Sequence, residues 1–148
     1  MKLISIIGAR PQFIKASVVL RATSSEMEHI LVHTGQHYDS AMSDLFFKDM
    51  EIKKPDYHFT LSSSQPNHQI SEMTSKLDDV FDEEKPDSVI VYGDTNSTLS
   101  GALATSKLGI PLFHVESGLR SFNRNMPEET NRVITDHISD LLFCPTQV

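Results

Sequence analysis

Short apolar runs alternate along this chain with stretches of helical length, and that rhythm leaves few folds open to it. Leu3-Ile-Ser-Ile-Ile7 and Val89-Ile-Val91 are nearly unbroken apolar segments. Strands with one wet face alternate in polarity, whereas strands covered on both faces read as continuous runs. Strands are expected at Lys2–Ile7, His29–His33, Ser88–Tyr92, Pro111–Val115 and around Leu141–Cys144, with a weaker one at Asp56–Leu61. Between them, Phe13–Thr23 carries Ile14, Val18 and Val19 at helical spacing, and Asn67–Glu84 carries Ile70, Met73, Leu77, Val80 and Phe81. Further helices are expected at Ser40–Met50 with Leu45 and Phe46 inward, at Ser97–Leu108 closed by Gly109, and at Glu128–Ser139. Ser62–Pro66 reads as a polar loop, the most mobile segment. Strands alternating with such helices make βαβ units, hence an α/β, Rossmann-like, mostly parallel sheet with helices on both faces.

At 148 residues the chain is the size of one domain with a real core. Its net charge of −7 argues against nucleic acid and anionic membranes as partners, but not against a locally bound anion. No run of about 18 apolar residues is present, so no membrane span is expected. The apolar start is broken by Arg10-Pro11 without a cleavage site, which favours a first strand over a secretory signal. The single cysteine, Cys144, rules out an internal disulfide, fits a reducing cytoplasm, and reads as a small buried residue at a strand end. His29 and His33 lie four apart but on a strand, and no metal is expected.

Ligands of open α/β sheets bind beyond the carboxyl ends of the strands. Asp94 in Gly93-Asp-Thr-Asn-Ser-Thr98 and Glu116 in Glu116-Ser-Gly-Leu-Arg-Ser121 sit directly after strands, and Glu128 follows Pro127. Carboxylates converging there point to proton transfer. Gly8-Ala-Arg-Pro-Gln12 leads into a helix whose amino terminus, with Arg10 and Lys15, makes an anion site; a tight turn with both cations in solvent is the equal alternative. Asn96 or Ser97 is the expected cap of the following helix, and Asp39 or Ser40 of the helix after Thr34-Gly-Gln-His-Tyr-Asp39. Glu116 either pairs with Arg120 as a structural salt bridge or sits beside a like charge as an acid–base group, and the sequence leaves both open. Glu128 and Glu129 alone read as helix-dipole residues, and Asp136 and His137 as surface or packing residues.

Taken together, Gly8-Ala-Arg-Pro-Gln-x-x-Lys15, His33-Thr-Gly-Gln-His-Tyr-Asp39, Tyr92-Gly-Asp-Thr-Asn-Ser-Thr98, His114-Val-Glu-Ser-Gly-Leu-Arg120 and Met126-Pro-Glu-Glu-Thr-Asn-Arg132 resemble the non-hydrolysing UDP-N-acetylglucosamine 2-epimerase family. The resemblance runs through Thr135–Thr146. It implies the first domain of a glycosyltransferase-B type fold, residues 1–148, with the second domain outside this chain. It further implies interconversion of UDP-GlcNAc and UDP-ManNAc by elimination and re-addition of UDP, without a cofactor, for supply of cell-surface polysaccharide. The full-length protein is then a cytoplasmic homodimer and the isolated fragment inactive. By the same resemblance Asp94, Glu116 and Glu128 are catalytic acids, Arg10, Lys15 and Arg120 bind substrate, and Gln36 and His37 belong to a second, regulatory UDP-GlcNAc site. Gln12 stands where glutamate is more usual and Ser117 where alanine is commoner. The first loop also resembles a branch with epimerases of UDP-2,3-diacetamido-glucuronate. Other expectations weighed are a hydrolysing epimerase, an inactive binding module and a glycosyltransferase.

Overall fold

A computed structural model describes residues 1–23, 27–36 and 53–146. The elements are β1 (Lys2–Ile7), α1 (Arg10–Thr23), β2 (Glu28–His33), β3 (Tyr57–His58), α2 (Pro66–Glu84), β4 (Ser88–Tyr92), α3 (Asn96–Lys107), β5 (Leu112–Val115), α4 (Pro127–Ile138) and β6 (Leu141–Phe143). The helix expected at Ser40–Met50 lies outside the described residues. The six strands form one sheet in the order β3-β2-β1-β4-β5-β6, and every pair is parallel. This is the doubly wound order, in which the chain starts at the centre, winds one way, and returns to wind the other.

Strand alternation sorts β1 between two cores. Ile4 and Ile6 join Val89, Val91, Leu77, Phe81 and Ala102 beneath α2 and α3. Leu3 and Ile7 join Leu31, Ile90, Tyr92 and Phe13 beneath α1. Gly101 lets α3 lie close to the sheet, since a Cβ there would come within 2.9 Å of Ile6 and Val91. Gly109, with φ +68°, closes α3 as expected. No described helix is long and apolar enough to cross a membrane.

Three expectations change. α1 begins at Arg10 rather than Phe13, because Pro11 is preset for a first helical turn. Its buried face is Gln12, Phe13, Ala16 and Ser17, while Ile14 and Val18 are exposed. A polar glutamine fits the core side because its amide is fully hydrogen bonded there, as described below. The third strand shrinks to Tyr57–His58, held by pairing with Val32 and His33 alone.

Two histidines, His33 buried and His29 half-buried, couple this core to pH. Burial, with Lys53 nearby, lowers His29 to about 4, and burial beside His58 lowers His33 to about 4. Both bind protons more readily in the unfolded chain, where their ordinary value is 6.5. Stability is therefore full above pH 6.5 and falls as pH drops towards 4. Glu72, pulled to about 2 chiefly by the Ser62 N–H, stabilises fully above its ordinary 4.5 and adds to the loss only below it. Thermal unfolding followed by circular dichroism should show a midpoint that begins to drop near pH 6.5. A midpoint constant down to pH 4.5 would contradict the neutral histidines.

Candidate active site

The chain reverses its winding between β1 and β4, and one side chain stitches their carboxyl ends together. Gln12 Oε1 accepts from the N–H of Gly8 (2.7 Å) and of Ala9 (3.1 Å). Its Nε2 donates to the Tyr92 carbonyl at 2.6 Å and lies 3.0 Å from Thr95 Oγ1 and 3.1 Å from Thr98 Oγ1. Thr95, not Asn96 or Ser97, caps α3, in a reciprocal capping box with Thr98. Gly8 is obligatory because a Cβ there would lie 1.8 Å from Ser97 Oγ and 2.5 Å from Thr34 Oγ1. Ser97 in turn donates from its N (2.8 Å) and Oγ (2.7 Å) to Gln36 Oε1. Gln36 thus helps cap α3; His37 lies outside the described residues.

The Gly8 and Ala9 N–H groups just before α1 are therefore taken by Gln12. Arg10 is exposed at the start of α1, but Lys15 is not in solvent: its Nζ pairs with Glu116. That contact also settles the partner of Glu116, which is Lys15 and not Arg120.

Glu116 adopts φ +70°, a left-handed conformation that non-glycine residues rarely take. Its N–H and that of Ser117 both donate to the Phe143 carbonyl, at 3.0 and 3.2 Å, which holds the strained turn. Gly93, at φ +67°, brings β4 so close that a Cβ would sit 3.3 Å from Glu116 Oε2. Asp94 follows directly and pairs through Oδ2 with Arg132 of α4, while its carbonyl accepts from Asn131 Nδ2 at 3.0 Å. Glu128 lies one turn before Arg132, on the same side of the helix. Half-buried, it makes no hydrogen bond or ion pair with a described residue. Asp94 and Glu116 therefore meet at the Gly93–Asp94 turn, with Glu128 on the helix whose Arg132 holds Asp94.

Two side chains hold these loops: Glu129, read from the sequence as a helix-dipole residue, and Asp136, read as a surface or packing residue. Buried Glu129 accepts the N–H groups of Ser121 and Phe122, each at 2.9 Å, and the Arg132 guanidinium at 2.6 Å. The Ser121 N–H above all, then Phe122 and Arg132, hold its carboxyl down at about 2. Asp94 first, then Glu129, pull Arg132 further towards its charged form. Asp136 is buried rather than on the surface, whereas His137 is exposed as expected. Asp136 Oδ1 lies 2.6 Å from Nδ1 of fully buried His114, and its Oδ2 accepts from Gly118 N at 3.0 Å and Arg120 Nη1 at 2.5 Å. His114 Nε2 lies 2.7 Å from the Gly93 carbonyl. A carbonyl only accepts, so Nε2 carries a proton, and one further proton lies between Nδ1 and Asp136. Cys144 is exposed, contrary to expectation, with Sγ 3.5 Å from the hydroxyl of Ser117. Beyond Glu129, the loop and α4 flank an open groove of about 560 Å³ that includes Arg120, Phe122 and Arg124. Among the described residues, no three His, Cys, Asp or Glu side chains are grouped as metal ligands.

Residues 20–148 match the family model described as UDP-N-acetylglucosamine 2-epimerase. The chain belongs to this family. It is 55% identical over 150 residues to a UDP-2,3-diacetamido-2,3-dideoxy-D-glucuronate 2-epimerase of Pseudomonas aeruginosa, covering 100% of this chain and 42% of that protein. A UDP-N-acetylglucosamine 2-epimerase of Methanococcus maripaludis is 51% identical over 142 residues, with 96% of this chain and 38% of that protein covered. The crystal structure of the Methanocaldococcus jannaschii UDP-GlcNAc 2-epimerase in complex with UDP-GlcNAc and UDP superposes with a TM-score of 0.93 at 48% identity, over 99% of this chain and 41% of that one. The chain thus spans about two fifths of the length of the curated relatives it matches.

Within this domain, Gln12 is the residue on which both halves of the sheet edge depend. Gln12→Met keeps the volume and strands the Gly8 and Ala9 N–H groups. A loss of about 2 kcal/mol in chemical denaturation is expected. An unchanged denaturation midpoint would mean that the stitch carries no stability.

Proposed function

We propose that this chain forms the amino-terminal wall of the active site of a UDP-N-acetylglucosamine 2-epimerase, with a second nucleotide-binding domain facing it in the full-length protein. The observation that supports this reading is the meeting of Asp94 and Glu116 at one turn where the sheet reverses its winding, beside the helix that carries Glu128. Family membership adds the substrate class.

The hydrogen on carbon 2 of the sugar is not acidic, and elimination avoids forming a free carbanion there. One carboxylate takes that proton as the bond from carbon 1 to UDP breaks, leaving 2-acetamidoglucal. A carboxylic acid on the other side returns a proton to carbon 2, and the UDP oxygen re-attaches at carbon 1. Lys15, Arg10 and Arg120 supply positive charge for the departing diphosphate. Lys15 reaches it by exchanging its contact with Glu116 for one with phosphate, which frees the carboxylate for proton transfer. Gln36 and His37 contribute to a second, regulatory UDP-sugar site, Gln36 through the part of its amide not engaged by Ser97. The full-length enzyme acts as a cytoplasmic homodimer that supplies UDP-ManNAc for cell-surface polysaccharide.

A second substrate is favoured by one observation: the Pseudomonas relative named for UDP-2,3-diacetamido-glucuronate is 55% identical, above the 51% of the Methanococcus enzyme. Comparing kcat/KM for the two UDP-sugars decides between them.

Full-length enzyme in deuterated water should convert UDP-GlcNAc to UDP-ManNAc with deuterium at carbon 2. No exchange with either UDP-sugar would overturn the reading. Asp94→Asn, Glu116→Gln and Glu128→Gln should each lower kcat by roughly 10²–10⁴-fold while folding is kept. Full activity in Glu128→Gln would return that residue to a helix-dipole role.

A further inference from the structure

The two loops bearing Asp94 and Glu116 are anchored by the same buried pair. On one side, the His114 Nε2–H donates to the Gly93 carbonyl, in the peptide immediately before Asp94. The Gly93 N–H donates to the Val115 carbonyl at 2.9 Å, so β5 grips the turn at both peptides of Gly93. On the other side, Asp136 Oδ2 accepts the N–H of Gly118, two residues after Glu116. That segment is conformationally costly at Glu116, with φ +70°, and it stays in place only if something holds it. The 2.6 Å bond from His114 Nδ1 to Asp136 Oδ1 joins the two anchors.

We propose that His114 and Asp136 form a positioning pair that sets the separation of the Asp94 and Glu116 loops. The proposal rests on the epimerase reading only for what those two acids do. His114 is fully buried and Asp136 nearly so, and neither reaches the crevice to touch a substrate. A buried ionic or strongly polar pair returns little net stability over an apolar pair of the same size. What it supplies here is direction. Two acceptors fix both ring nitrogens as hydrogen-bond partners, and the carboxylate's second oxygen is left for the other loop. Asp136 also orients Arg120, whose Nη1 donates to the Leu119 carbonyl at 2.6 Å as well.

The test uses full-length protein and two variants that cut the chain of contacts at different places. His114→Gln leaves Asp136 on Gly118 and Arg120 but loosens the Gly93 turn. It should lower kcat roughly tenfold to a hundredfold and change KM by less than about twofold, the mark of misplaced groups rather than lost binding. Asp136→Asn retains a carbonyl for His114 but turns its amide donors towards Gly118 and Arg120. Selectively labelled protein should then show shifts of the Asp94 and Glu116 backbone amides, which Asp136 does not touch. An unchanged kcat in folded His114→Gln would overturn the proposal. So would shifts in Asp136→Asn confined to Gly118 and α4. If the wild-type enzyme turns over neither UDP-sugar, the epimerase reading fails by itself. The spectra, which need no substrate, then decide the positioning role: movement of Asp94 supports it and stillness overturns it.

Discussion

A single carboxamide decides how the sheet edge is built. Where β1 and β4 part to opposite faces, their ends carry backbone groups that no ladder can satisfy. Gln12 meets donors of one strand and an acceptor of the other with one planar group. A glutamate carboxylate accepts but does not donate, so it could take the Gly8 and Ala9 amides and not the Tyr92 carbonyl in this way. The close approach of Gly8 to Ser97 depends on that closure, and so do the capping of α3 and the placement of Gly93 and Asp94.

Around this stitch, charge is arranged in local pairs drawn from different elements. Lys15 of α1 meets Glu116 at the end of β5, and Arg132 of α4 meets Asp94 at the end of β4. The chain is acidic overall, yet Asp94 and Glu116 each have a cation in contact, while Glu128 has none among the described residues. The distribution makes the acids unequal before any ligand arrives. Environments that separate similar groups are how one site holds both an acid and a base.

The strand positions and most helix boundaries were legible because apolar runs and amphipathic periods are local signals. What escaped the sequence was pairing at long range. Lys15 and Glu116 are 101 residues apart, and Arg120 was the nearer, more obvious partner. The face of α1 was misjudged because Ile14 and Val18 outweigh Gln12 in hydrophobicity, while the fold buries Gln12 for its hydrogen bonds. Asp136 was left between a surface and a packing role because nothing local reveals its bond to His114 of β5. Glu129 was assigned to the helix dipole for a sound reason, but its oxygens reach back to the preceding loop as well. The motif order drew attention to the right loops without saying which groups within them bear on one another.

Glu129 holds that loop by the main chain, at the N–H groups of Ser121 and Phe122, and of the loop's side chains only the Ser121 hydroxyl shares in the contact. An anchor of this kind is indifferent to most of what the loop displays. Phe122, at 86% exposure, and Arg124 face the groove beside α4 without being needed to keep the loop in place. The segment is therefore an exchangeable cassette: its outward residues can be rewritten over evolutionary time, or by an engineer, while the acids behind it keep their positions.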